Sequence, residues 1–282
     1  MVFLLLAVLA TASCSVSRFI PEDEHLLNDM HIRSTDKTVS TNQMRGYVQQ
    51  HPNSRWFSLL KVPMGPYLMS GRDSTRRINR FLQRIGEAPV IYDQSKAFKT
   101  RDNIEAAVRN MGYLQANVDL LERQKGFKMN VIYKIDPGKR YIVKELEEQV
   151  GDTAIAHLME SARKESRLSV GMPFDLNELE AERTRLNRLM RNHGYYLFNK
   201  DFIRFEADTT LGNRGVALTL IVDDYRTGTQ TERQAHRRFH VGEVRMAADS
   251  TGRNHIRSNV LRVKTAIEPG ELYNERHVQE TY

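Results

Sequence analysis

Hydrophobic positions recur along the chain with two periods. Ile104, Ala107, Val108 and Met111 fall at the i, i+3, i+4, i+7 spacing of a one-sided helix, and Leu176, Leu179, Leu186, Leu189 and Met190 mark a second helix of the same kind. Met129, Val131, Tyr133 and Ile135 instead alternate with Lys128, Asn130, Ile132 and Lys134, and Val216, Leu218, Leu220 and Val222 alternate likewise. Period two with one apolar face predicts half-buried antiparallel strands. Turn-rich residues around Gln124 to Gly126 and Gly212 to Gly215 predict a hairpin in each case. A further strand is expected at about Ile142 to Val150, followed by a helix with Ile155, Leu158, Met159 and Ala162 on one face.

These elements repeat. Arg109-Asn110-Met111-Gly112-Tyr113 matches Arg191-Asn192-His193-Gly194-Tyr195 at an offset of 82. Both helices are therefore expected to end at Gly-Tyr, because glycine accepts the left-handed conformation without a Cβ penalty and the tyrosine folds back as an apolar cap. The order in each copy is strand, helix, helix, strand, strand. A third copy begins with a strand at Phe239 to Ala247 and a helix carrying Ile256, Val260 and Val263. In it Gly270-Glu271-Leu272-Tyr273-Asn274 parallels Gly171-Met172-Pro173-Phe174-Asp175 at an offset of 99, and on that register Tyr282 corresponds to Arg183. The chain is thus expected to stop inside a helix, as part of a longer protein. The first copy carries an insertion at about 52–96 with a helix around Thr75 to Ile85. The predicted layout is a leader at 1–13, a linker at 14–25, a first domain at 26–141, a second at 142–225, a connector at 226–238 and an incomplete third domain at 239–282.

Composition narrows the chemistry. The 282 residues carry 42 Lys and Arg against 35 Asp and Glu, a net charge of +7, with 40% hydrophobic residues and a mean hydropathy of −0.54. With 16 Gly and 8 Pro, the chain is neither collagen-like nor compositionally disordered. A single cysteine, Cys14, excludes an intrachain disulfide, a CxxC pair and a multi-cysteine metal site. The apolar run Met1 to Ala10, followed by Thr11, Ala12 and Ser13, is too short to span a bilayer; it reads as a signal-peptide core or as a buried first strand. No GxSxG or Walker glycine loop occurs, and no catalytic or cofactor residue is predicted. Glu178, Glu180 and Glu182 with Arg183 and Arg185 read as the solvated side of a helix, and His236 and His240 as solvated residues of a basic connector. The positive charge admits a nucleic-acid-binding module, yet there is no GXXG clamp and no aromatic-rich RNP strand. It also fits a surface that rests near anionic headgroups.

The repeated unit, with Phe174 opening the second helix, Gly112-Tyr113 and Gly194-Tyr195 closing it, and Asp136-Pro137-Gly138-Lys139-Arg140-Tyr141-Ile142 handing over to the next strand, resembles the POTRA domains of the BamA/TamA outer-membrane assembly superfamily. Gln50-His51-Pro52-Asn53 and Gly86-Glu87-Ala88-Pro89-Val90-Ile91-Tyr92-Asp93 resemble segments of the lipid-anchored TamA-like (TamL) subgroup. Small residues before Cys14 resemble a lipobox, although Thr11 stands where Leu is usual and no basic residue precedes the apolar run; the true start is then expected upstream. This resemblance implies an α+β fold of tandem POTRA domains, each a three-stranded mixed sheet covered by two helices. It implies a C-terminal β-barrel that this chain does not contain, and a diacylglycerol and palmitate anchor on Cys14. It also implies a place at the bacterial outer membrane with the POTRA region in the periplasm, and a non-enzymatic part in assembling, inserting or translocating outer-membrane proteins. The implied partners are the outer membrane, unfolded outer-membrane clients and a TamB-like periplasmic protein or other assembly subunits, with no nucleic acid and no cofactor. A barrel-less POTRA interaction lipoprotein is the alternative within the same fold.

Overall fold

The structure is a computed structural model that describes residues 19–21, 23–54, 64–70, 77–225, 234–245 and 265–281. It divides into two compact units, Met1–Lys139 and Arg140–Tyr282. In the first, β1 (Leu26–Ser34) leads to α1 (Thr41–Met44), α2 (Met64–Met69), α3 (Arg77–Ile85) and α4 (Gln94–Asn110), then to β2 (Asn117–Lys125) and β3 (Lys128–Asp136). In the second, β4 (Ile142–Val150), α5 (Thr153–Ser161), α6 (Leu176–Asn192), β5 (Ile203–Asp208) and β6 (Gly215–Val222) follow the same order, and α7 (Glu275–Thr281) comes last.

Each unit holds a three-stranded mixed sheet, ordered β1-β3-β2 and β4-β6-β5. Two such sheets with their helices form the α+β pair of strand-helix-helix-strand-strand units expected from the repeats. The antiparallel pairing read from alternation holds on one side of each central strand, as the expected mixed sheet requires. β3 is antiparallel to β2 but parallel to β1, and β6 is antiparallel to β5 but parallel to β4. Alternation reports which face is buried and is silent about the direction of each neighbour, which the helical crossover sets. Met129, Val131, Tyr133 and Ile135 of β3 pack on Ile104, Ala107 and Val108 of α4. In the second unit Leu220 and Val222 of β6 pack on Ile155, Met159, Leu186 and Met190.

The repeat extends to main-chain detail. α4 and α6 are both 17 residues long and are N-capped by Asp93 and Asp175, which also stand 82 apart. β1 and β4 carry a bulge at the same place, between Leu27 and Asp29 and between Val143 and Glu145. The segment before each second helix bridges the start of the first strand, at Leu26 with Ile91, Ile142 with Pro173 and His240 with Leu272.

Among the described residues the third copy has its opening bridge and its second helix, α7; of the strand expected at Phe239 to Ala247, residues 246 and 247 lie outside the described residues. Among the described residues, 239–245 have only the His240 bridge, and a ladder needs a neighbouring strand along its length. The helix expected around Ile256 to Val263 lies outside the described residues.

Candidate functional site

The Gly-Tyr pairs form matching corners. Gly112 and Gly194 take φ of +92° and +95°, a region that favours glycine, while Tyr113 and Tyr195 turn back into their cores. The arginine three residues before each glycine ties the corner. Arg109 donates through Nε and Nη2 to the Ala116 carbonyl at 3.2 Å, and Arg191 donates through Nη1 to Tyr196 O at 2.6 Å and Phe198 O at 3.4 Å. These four Gly and Tyr positions build the helix-to-strand turn and thereby fix where β2 and β5 begin. Cys14 lies outside the described residues.

The segments Gln50 to Asn53 and Gly86 to Asp93 are brought together. Asn53, buried, donates through Nδ2 to Ala88 O at 2.7 Å and accepts from Val90 N at 3.0 Å. Gln50 Oε1 accepts from Asp93 N at 3.1 Å, and its Nε2 donates to Ile91 O. Two amide side chains thus act as short rungs between segments about forty residues apart, placing Ile91 against β1 and Asp93 at the start of α4. Tyr92 donates its hydroxyl to Glu122 of β2; burial, reinforced by this bond, pushes the phenol far above its ordinary value, so it stays a donor.

Glu182 and His236, read as solvated, are buried. Glu182 is 1% exposed, and its carboxylate accepts from Ser166 Oγ, Arg167 N, Arg185 Nε and Arg185 Nη2 at 2.6 to 3.0 Å. Burial alone would raise its pKa, but these donors and the Arg185 charge hold it below the ordinary glutamate value. His236 is 8% exposed, ringed by Phe198, Phe202, Tyr195 and Tyr225, with centroids 4.7 to 6.5 Å away. Its Nε2 lies 2.9 Å from Asp223 O, and its N–H donates to Asp152 Oδ2 at 3.1 Å. Glu178 and Glu180 keep partly or fully exposed places, and His240 is exposed.

The sheet edges differ between the units. β2 is an edge strand, and between it and α4 runs a groove of about 450 Å3 lined by Phe98, Arg101, Glu105 and Asn117 to Leu121. Phe98 and Leu121 are each 41% exposed there. One main-chain donor is taken, since Val118 N–H reaches Glu105 Oε2 at 3.2 Å. The equivalent edge, β5, is charged. Leu121 faces the fifth residue of β3, and Glu206 faces the fifth residue of β6. Phe98 is the fifth residue of α4, and Glu180 is the fifth of α6. Glu180 pairs with Lys200 at 2.9 Å and Arg183 at 3.1 Å, while Arg204 pairs with Glu206 and with Asp223 at 2.9 Å. β2 also carries charge, at Asp119, Glu122, Arg123 and Lys125, so the difference lies at the matched position, where an exposed leucine leaves the edge more open to a further strand than an ion-paired glutamate does.

No family model and no curated protein matches this sequence. Among solved structures, the chain is similar to the POTRA3-5 region of BamA from Haemophilus influenzae, at 16% identity over 93% of this chain and 85% of that one, with a TM-score of 0.45. It is also similar to POTRA1-3 of the periplasmic domain of Omp85 from Anabaena, at 14% identity over 93% and 84%, with a TM-score of 0.34. A third is the N-terminal domain of Omp85 from Thermosynechococcus elongatus, at 13% identity over 93% and 84%, with a TM-score of 0.29.

The groove residues Phe98 and Leu121 were not singled out by the sequence patterns, although a signal existed. Leu120 and Leu121 are consecutive, so they break the alternation of β2 and leave one leucine outside the core.

Proposed function

We propose that this chain is the periplasmic region of an outer-membrane lipoprotein of the TamL type, anchored through Cys14, that assists the assembly of outer-membrane proteins. It takes no part in covalent catalysis. It binds an extended segment of an unfolded client, or of a partner subunit, by adding that segment as a strand to β2. The observation that carries this reading is the exposure of Phe98 and Leu121 beside the β2 edge, at positions that ion-paired Glu180 and Glu206 occupy at the β5 edge. Backbone pairing supplies affinity with little regard to sequence, which suits many clients, and Phe98 and Leu121 offer contact to an apolar side chain of the added strand.

A photo-crosslinking residue placed at Leu121 in the full chain tests the proposal, with the same residue at Glu206 as the comparison. Capture of outer-membrane protein segments from Leu121 and not from Glu206 is the expected result. Equal capture from both, or none from Leu121, rejects the edge assignment. Palmitate labelling that persists in Cys14→Ala rejects the anchor separately.

A further inference from the structure

Helix α3 carries an apolar stripe that the described residues of its own unit leave open. Ile78, Phe81 and Ile85 are 74%, 62% and 55% exposed, and the helix buries none of its nine residues. At about 100° per residue the three side chains fall within an arc of roughly 60°, and Arg77, Arg84 and Arg80 follow along one flank. The helix contains no acidic residue. It is nevertheless fixed at its end. A Cβ on Gly86 would lie 2.3 Å from Tyr67 N, so glycine lets α3 close tightly on α2. The Tyr67 ring in turn meets Phe19 at 5.5 Å, and Met64 is buried with Ile20 and Leu26.

An exposed apolar stripe on a helix seated in this way marks an interaction surface. The charge decides what it meets. A second copy of the chain would bring arginine flanks face to face, and a protein groove would need an acidic rim along one side. A bilayer with anionic headgroups accepts both features at once: apolar side chains enter the acyl boundary while the guanidinium groups reach up to phosphates. We infer that α3 is an interfacial helix that lays Ile78, Phe81 and Ile85 into an anionic bilayer surface. Five residues lie between Cys14 and Ile20, so the six steps reach about 20 Å. A lipid on Cys14 would therefore sit within reach of the same membrane, but the docking of α3 does not rest on the anchor.

The test uses the full chain with Cys14→Ser, so that no lipid can attach. Trp56→Phe removes the native tryptophan, and Phe81→Trp then puts a single reporter on the stripe. The probes are phosphatidylcholine vesicles with or without phosphatidylglycerol, carrying brominated acyl chains. Quenching of the reporter by the anionic vesicles is expected, weakening as salt rises. Arg77→Gln/Arg84→Gln should weaken binding by roughly fivefold per arginine at low salt. Ile78→Ser/Ile85→Ser should weaken it on the order of tenfold or more, with the thermal unfolding curve unchanged. The apolar leader is common to all variants, so it cannot produce these differences. An unquenched reporter, or binding that is equal on neutral vesicles and indifferent to both double variants, overturns the inference. So does self-association that the serine variant abolishes, because the stripe would then meet another copy.

Discussion

Arg191 Nε donates to Glu275 Oε1 at 2.6 Å, tying the last turn of α6 to the first turn of α7. The same guanidinium donates to the Tyr273 hydroxyl at 3.0 Å and to the Tyr196 carbonyl, and it lies 5.7 Å from both tyrosine ring centres. Arg109, at the matching repeat position, pairs instead with Glu105 one turn back in its own helix. One side chain thus closes the corner in both units, and in the second it also fastens the following repeat. Arg191→Ala is expected to lower the stability of the second unit by about 2 to 3 kcal/mol in urea titration, since a partly buried Glu275 loses its partner. Arg191→Lys should recover little, because a point charge cannot replace the fork.

Glu182 gives the second unit an acid dependence with a defined sign. Its folded pKa lies below the unfolded value of about 4.3, so its contribution is complete above that value and is lost as pH falls through the folded pKa. Glu182→Gln should cost about 3 kcal/mol at neutral pH. Stability measured between neutral pH and about pH 3 should fall less steeply in the variant than in the parent. Equal slopes would mean that Glu182 is not held ionised by Arg185.

Gly194 is constrained twice. Its φ of +95° disfavours any side chain, and a Cβ there would lie 2.6 Å from Leu272 Cδ1. Gly194→Ala should therefore cost more than the roughly 1 to 2 kcal/mol of backbone strain alone. Adding Leu272→Ala relieves the contact and leaves the strain, so the two changes should be less than additive by thermal or urea unfolding.

His236 plugs a ring of four aromatic side chains, and its main chain is held by the same Asp152 that caps α5. His236→Ala should lower stability by about 2 to 3 kcal/mol through the cavity and the unpaired Asp223 carbonyl. His236→Phe refills the space without the donor and should recover part of that loss, as read from the urea midpoint.

Much of the architecture was legible because it rests on local periodicity and on repetition. The 3.6-residue spacing located α4 and α6, and alternation located β3 and β6. The offset of 82 aligned Gly112-Tyr113 with Gly194-Tyr195, and the structure extends that offset to the caps Asp93 and Asp175 and the corner arginines Arg109 and Arg191. Such features depend on residues near one another in the chain, so the sequence by itself determined the order of elements and the places where they end.

Partners far apart in sequence were decided only by the tertiary structure. Glu182 looks solvated in a run of charged residues until the 166–167 turn folds over it with two of its donors. His236 looks like part of a basic linker until four aromatic rings from distant positions close around it. The open β2 edge has the same origin. Leu121 breaks the alternation of β2, but only sheet order places it and Phe98 at one groove while Glu180 and Glu206 cover its counterpart. Burial and edge exposure are properties of which surfaces meet, and that is settled by packing between elements, not by the period within any one of them.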